Sequence, residues 1–285
     1  MKDKTIFVSI VSYKDFDVIN TINDLFDKAE FPRRVIAGVF LQDTAEEIER
    51  ITKWITNHSY SKNIKLKTII YSDAQGCGWA RNYLLKNIYI DSDYFFCIDS
   101  HSRFLKKWDT EYINLHNGLP SKGVISVFPQ SFEFDESYET YTQNTIPHIY
   151  TPIVPIWYEH RTAGNHQRAA LVDYEKIMTI SGGNFFGEGN IAHILKVDMY
   201  FIPTEEQELY SLLLYKSGYD IFAVTKNIVW HKYVPDSKSS YRELCDWGRF
   251  NPEKDFINNL KDFGGTERTT EEWKEAVLRE YNNIN

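Results

Sequence analysis

The sequence predicts an α/β fold: a mostly parallel central sheet flanked by helices, with a C-terminal helical extension. Two observations carry this. Through the first 130 residues, apolar runs of strand length alternate with segments of helical period. The chain of 285 residues, 42% of them hydrophobic, is long enough to bury a large core without disulfides.

The elements follow in order. Ile6–Val11 is a short apolar run, and Val18, Ile19, Ile22, Leu25 and Phe26 then recur at helical spacing until Pro32. Val35–Leu41 is the second strand. Ile48, Ile51, Trp54 and Ile55 mark a second helix, with Thr44 and Glu47 spaced as a capping box. Lys65–Tyr71, Tyr94–Ile98 and Gly123–Phe128 read as further strands, with a helix over Trp79–Asn87. Strands alternating with helices imply right-handed βαβ units, whose ligands bind beyond the carboxyl ends of the strands. Between Phe132 and Asp173, prolines and polar segments predict long loops with short strands. Met178–Phe186 returns to a strand followed by Gly182-Gly183. A core-facing helix over Glu205–Ser217, short strands at Ile221–Ala223 and Ile228–Trp230, and helical patterns at Tyr241–Trp247 and Thr270–Tyr281 complete the chain.

Charge and cysteine content narrow the function. A net charge of -8 argues against a general nucleic-acid or anionic-membrane surface, although a metal ion could supply local positive charge for a phosphorylated ligand. Cys77, Cys97 and Cys245 are too few for a disulfide framework and lack zinc-site spacing, as expected in a reducing compartment. The opening apolar run is broken by Ser9 and Ser12 and ends at Lys14, so it reads as a strand and not a signal peptide. No stretch approaches the ~20 apolar residues of a membrane span. The expectation is a cytoplasmic protein with no nucleic-acid partner.

The strongest chemical signal is Phe95-Phe96-Cys97-Ile98-Asp99-Ser100-His101, where an apolar strand ends in a carboxylate and an imidazole two residues apart. Residues i and i+2 of an extended segment project to one side, so both can reach one ion. An oxygen with a nitrogen ligand suits Mn²⁺ or another borderline cation better than Ca²⁺. The bland alternative is a turn cap beside a surface histidine. A second strand, Ile228-Val229-Trp230, ends in His231 and offers a third ligand.

Gly76-Cys77-Gly78-Trp79-Ala80-Arg81-Asn82 opens a helix where backbone amides can approach a phosphate. Arg81 stands where a dinucleotide fingerprint needs glycine, which disfavours a nicotinamide or flavin enzyme. Arg81 could reach a diphosphate, hold an acidic side chain such as Asp99 or Asp73, or simply be solvated. Gly182, Gly183 and Asn184 follow a strand, and Glu205 and Glu206 open a helix; together they could read a sugar, although first-turn acids also fit the ordinary helix-dipole preference.

Ser9 through Asp15, Gly76 through Asn82, Ile98 through Phe104 with Trp108-Asp109, Trp230-His231, and Gly264 through Thr269 resemble the polypeptide α-N-acetylglucosaminyltransferases, a GT-A nucleotide-sugar family that modifies hydroxyproline or Ser/Thr. The resemblance spans most of the chain in the same order. It implies a GT-A fold and retaining transfer from UDP-GlcNAc to a protein or glycan hydroxyl, with Mn²⁺ held by Asp99, His101 and His231. It implies that Gly182, Gly183 and Asn184 with the catalytic candidates Glu205 or Glu206 meet the donor sugar. Ser9, Ser12, Tyr13 and Asp15 would lie near the uridine, with Gly78, Trp79 and Arg81 on the nucleotide-sugar. Arg268 would help close a C-terminal helical lid, residues 236–285, over the diphosphate beside a catalytic domain of residues 1–235. This chain departs from the family at Ile202-Pro203-Thr204-Glu205-Glu206, where Phe-Gly-Glu-Glu is expected. The competing readings are a nucleotidyltransferase or other nucleotide-diphosphate enzyme, and a non-catalytic sugar-nucleotide or glycan-binding protein.

Overall fold

The structure is a computed structural model that describes residues 4–132, 148–152, 165–169, 171–197, 203–232 and 264–282. Its first half is built from β1 (Ile6–Tyr13), α1 (Val18–Asp27), β2 (Val35–Asp43), α2 (Ala45–Asn57), β3 (Ile64–Ile70), α3 (Cys77–Asn87) and β4 (Tyr94–Asp99). Then come β5 (Ser102–Phe104), α4 (Trp108–Asn117), β6 (Gly123–Ser126) and β7 (Gln130–Ser131), followed by the hairpin β8 (His148–Pro152) and β9 (Asn165–Ala169). The second half carries β10 (Glu175–Ile177), β11 (Asn184–Glu188), α5 (Ile191–Ile194), α6 (Pro203–Lys216), β12 (Asp220–Ala223), β13 (Val229–His231) and α7 (Thr270–Asn282).

Eight strands form one sheet in the order β10-β12-β6-β11-β4-β1-β2-β3. β1 pairs parallel with both β2 and β4, and β2 with β3; β6 and β12 are also parallel to each other. β11 runs antiparallel between β4 and β6, and β10 is antiparallel to β12. The mostly parallel sheet read from the sequence is therefore present. β1 is a near-continuous apolar run because helices cover both of its faces: Ile6, Phe7, Val8 and Ile10 are all fully buried. A second sheet, β5-β13-β7, joins the Asp-Ser-His segment to the strand that ends in His231.

Local chemistry explains several boundaries. Thr44 Oγ1 accepts from the Glu47 amide at 3.3 Å, which starts α2 as expected. The reciprocal half of the capping box is not made, because the Thr44 amide donates to Asp43 and Glu47 pairs with Arg50. The bounds of the strand expected over Met178–Phe186 are corrected: the chain leaves β10 at Ile177, turns through Gly182-Gly183, and enters β11 at Asn184. Helix α4 escaped the periodicity reading because its buried face mixes Trp108, Tyr112 and Ile113 with an acid, Asp109. The helical pattern at Tyr241–Trp247 lies outside the described residues.

The C-terminal helix α7 docks on the core. Trp273 and Val277 are buried, Trp273 Nε1 donates to the Met178 carbonyl at 3.4 Å, and the Met178 amide donates to Glu280 at 3.1 Å. Both described cysteines, Cys77 and Cys97, are free thiols.

Asp109 is the polar keystone of this half. Its carboxylate accepts from the Glu30 and Phe31 amides at 2.7 and 3.0 Å and pairs with Arg34 at 2.8 Å, with both charged side chains at or below 3% exposure. It thereby fixes the turn from α1 to β2. Removing one partner strands the buried guanidinium, so Asp109→Ala should cost about 3–5 kcal/mol of stability. Urea denaturation would measure this, and a loss below about 1 kcal/mol, the range of an exposed pair, would contradict it.

Candidate active site

The site forms where β4 ends. Asp99 is the last residue of that strand, and the chain turns at once through Ser100 and His101 into β5. Helix α1 pins the turn: Thr21 Oγ1 donates to the Ser100 carbonyl at 2.7 Å and accepts from the Ser102 amide at 3.0 Å. β13 then pairs antiparallel with β5, with His231 opposite Ser102, and the Lys232 amide donates to the His101 carbonyl at 3.1 Å. Three potential ligand atoms, one each from Asp99, His101 and His231, consequently lie within 4.8 Å of one another. His231 Nε2 is 3.0 Å from Asp99 Oδ2, and the two imidazole rings meet edge to face with centroids 4.5 Å apart.

Arg81 anchors this cluster from behind. One guanidinium nitrogen donates to Asp99 Oδ1 at 2.7 Å and another to Glu206 Oε1 at 2.9 Å, and the Arg81 and Glu206 side chains are almost wholly buried. Burial alone would raise the Asp99 carboxyl, but the hydrogen bond from His231 and the charge of Arg81 outweigh it and hold the group well below the usual carboxylate range. At Glu206 burial wins and its carboxyl is raised, although Arg81 opposes this. Burial depresses His231 despite its contact with Asp99, whereas at His101 the Asp15 carboxylate overcomes burial and raises the imidazole.

The donor set fits a divalent ion. One carboxylate oxygen and two imidazole nitrogens match a borderline cation of the Mn²⁺ type. Space is kept open by glycine: a Cβ on Gly183 would stand 2.1 Å from Asp99 Oδ2, and one on Gly182 would stand 2.9 Å from an Arg81 guanidinium nitrogen.

Not every residue singled out from the sequence reaches this place. Ser12 and Tyr13 end β1 beside it, with the Ser12 hydroxyl buried. Ser9 lies level with Cys97, two residues below Asp99, buried inside the sheet. Gly78 and Trp79 lie in the first turn of α3, where Trp79 packs on Phe40. Asn184 is spent on the core: its side-chain oxygen accepts from Tyr112 at 2.7 Å and its nitrogen donates to the Val127 carbonyl at 3.1 Å. Glu205 is the third residue of α6, and its side chain lies outside the described residues.

Arg268 requires a correction. It pairs with Asp220 at 2.7 Å and donates to the Gly218 and Tyr219 carbonyls, at the amino end of β12. Through the register of β12, β6 and β11, Asp220 is level with Tyr94, five residues below Asp99 or about 16 Å along the strands. Arg268 therefore belongs to the opposite end of the sheet and secures the α6–β12 corner, so it does not close over the site.

Two features were not anticipated. Glu206 meets Arg81 instead of standing open as a first-turn acid. Asp15 accepts from His101 Nδ1 at 2.7 Å, a contact between residues 86 positions apart that no local pattern announces. Lys14, just past the end of β1, sits in the left-handed region at φ 47°, which swings Asp15 toward His101.

A mostly parallel sheet under helices, with ligands gathered at the carboxyl end of a central strand, is the architecture of the GT-A glycosyltransferases. The chain belongs to the glycosyltransferase (GlcNAc) family, whose model matches residues 5–59 and 50–252. Among solved structures it is similar to S. aureus TarS 1-349 in complex with UDP-GlcNAc, at TM-score 0.58 and 14% identity over 98% of this chain and 72% of that one. It is equally similar, at TM-score 0.58 and 10% identity, to the mannosyltransferase PcManGT from Pyrobaculum calidifontis in complex with GDP-Man and Mn²⁺, covering 98% of this chain and 69% of that one. Against the longer TarS structure it spans 43% of that chain. At these identities the likeness speaks to fold alone. No curated protein matches the sequence.

Because Gly183 faces the short, pinned side chain of Asp99, Gly183→Ala should displace that carboxylate. The expected result is at least a ~10-fold loss of Mn²⁺ affinity by calorimetry with little change in melting temperature. Unchanged affinity would mean that the Asp99 side chain has room to retreat.

Proposed function

We propose that this chain is a retaining, divalent-metal-dependent glycosyltransferase that moves GlcNAc from UDP-GlcNAc to a hydroxyl on a protein. The observation that carries this reading is the convergence of Asp99 from the main sheet, His231 from the second sheet and His101 from the turn between them. The family name supports GlcNAc, the TarS complex supports a UDP-sugar, and the PcManGT complex supports Mn²⁺. The retaining outcome and the Ser/Thr or hydroxyproline acceptor rest on the resemblance to the polypeptide α-N-acetylglucosaminyltransferases.

Bound here, the ion would counter the charge that gathers on a departing diphosphate. The chain's own residues divide the remaining work. Arg81 holds Asp99 Oδ1, so Oδ2 stays turned toward His231 and the glycine pair. The amino end of α3, which carries no side-chain cap, offers the Cys77 and Gly78 amides to the diphosphate. Ser12 and Tyr13 would lie against the uridine. Gly182 and Gly183 let the sugar approach the backbone, and Glu205 keeps the donor-sugar role that the family resemblance gives it. Glu206, spent on Arg81, acts on the site through that guanidinium. Acceptor and donor held side by side would supply much of the rate.

UDP-GlcNAc turnover, measured with and without Mn²⁺ and against other UDP-sugars and GDP-Man, tests this directly. UDP-GlcNAc should be preferred, transfer should require the ion, and His231→Ala should lower the rate on the order of 100-fold or more. Pyrophosphate release from a nucleoside triphosphate would favour a nucleotidyltransferase instead. UDP binding without turnover of any donor would favour a non-catalytic binding protein.

A further inference from the structure

We infer that Asp15 and Ser100 form a positioning pair that fixes the tautomer and orientation of His101, and that Asp15 serves the ion site and not the nucleotide. This inference rests on the metal reading above.

The geometry is specific. Asp15 Oδ2 faces His101 Nδ1 at 2.7 Å and accepts from Ser100 Oγ at 2.5 Å, while Oδ1 accepts from the Asp17 amide at 2.9 Å. An ionised carboxylate only accepts, so the hydrogen between Asp15 and His101 must sit on Nδ1. That leaves the lone pair of a neutral His101 on Nε2, the nitrogen free to bind an ion. A carboxylate on the far nitrogen also raises the basicity of the ligating one and stops the ring from turning.

Ser100 gives the middle of Asp-Ser-His a function. It lies between two ligands in sequence, but its side chain turns back to Asp15 and shares Oδ2 with the imidazole. With two donors on Oδ2 and one on Oδ1, the carboxylate has little capacity left for a base or ribose. The carboxylate is held in its turn. Lys14 leaves β1 in a left-handed conformation, its amide donating to the Gln42 carbonyl at 2.9 Å, and Asp17 pairs with buried Arg103 at 2.8 Å. The rigid path from β1 through Asp15 to His101 is therefore closed again through Arg103 in β5.

Mn²⁺ and UDP binding by calorimetry, with melting temperatures, separate the possibilities in the wild-type chain and in Asp15→Ala, Asp15→Asn and Ser100→Ala. Asp15→Ala should weaken Mn²⁺ binding by about 10–100-fold. Asp15→Asn, whose amide oxygen still accepts from Nδ1, should recover part of that loss, and Ser100→Ala should show a smaller one. UDP affinity at saturating Mn²⁺ should stay within about 3-fold of wild type. Asp15→Asn and Ser100→Ala keep the test open if Asp15→Ala fails to fold. Unchanged Mn²⁺ affinity across the folded variants, or a loss of UDP affinity alone, would overturn the proposal and return Asp15 to the nucleotide. A wild-type chain that takes up no Mn²⁺ would overturn the metal reading itself, a different failure.

Discussion

The arrangement depends on placing a charged carboxylate at the end of an apolar strand. Tyr94 through Ile98 are buried, and Asp99 follows them directly. Left alone, such a group would take up a proton as burial raised it. The hydrogen bond from His231 and the charge of the Arg81 guanidinium together prevent this; Arg81 bonds Asp99 from α3, and Glu206 balances the buried cation from α6. One side chain thus joins strand, helix and helix, and its reach dictates the glycine at 182, where any Cβ would press on the guanidinium. A cation behind the carboxylate also offsets part of its charge, so the two imidazoles must complete the attraction for an ion in front.

That division clarifies how an acidic chain could handle an anionic donor. The net charge of -8 offers no broad field to gather phosphates. What the site offers instead is local: a cluster suited to an ion, and the amino end of α3, which has no side-chain cap. Arg81, the cation nearest in sequence to that helix end, is already committed to Asp99 and Glu206. Much of the positive charge would then come with the ion, which ties donor binding to ion binding.

The fold was legible in the sequence because its central strands, such as β1 and β4, are buried on both faces and read as continuous apolar runs, while α1 and α2 keep a clear helical period. Boundaries failed where a backbone requirement overrode composition. Met178 and Ile180 before the glycine pair and Phe185 and Phe186 after it suggest strand, yet the turn at Gly182-Gly183 separates them and brings the chain close to Asp99. Within the site, Asp99, His101 and His231 were legible because each lies at the close of an apolar strand. The support around them was not. Arg81 with Glu206, and Asp15 with His101, lie 125 and 86 residues apart, and only the folded sheet brings them together. Arg268 misled for the same reason in reverse: its loop reads as a lid, but the register places it at the far end of the sheet.

The run from Asp99 to Asp109 resembles a single motif, yet its residues serve separate physical ends. Asp99 and His101 belong to the cluster proposed to hold an ion, while Ser100 turns back to hold Asp15. Ser102 and Arg103 bind the amino end of α1, through Thr21 and Asp17. Phe104 and Trp108 fill the core, with Trp108 Nε1 donating to the Leu25 carbonyl at 2.8 Å. Asp109 fixes the turn beyond α1 with Arg34. The motif is contiguous because one short segment must both present ligands and lock itself to α1 over its whole length. The second requirement follows from the first: two ligands separated by one residue keep their spacing only if the backbone between and after them cannot shift. His231 imposes the same demand from β13, whose antiparallel pairing with β5 ties the third ligand to the same segment. The rigidity of the proposed ion site is thus inherited from α1, an element that supplies none of the candidate ligands.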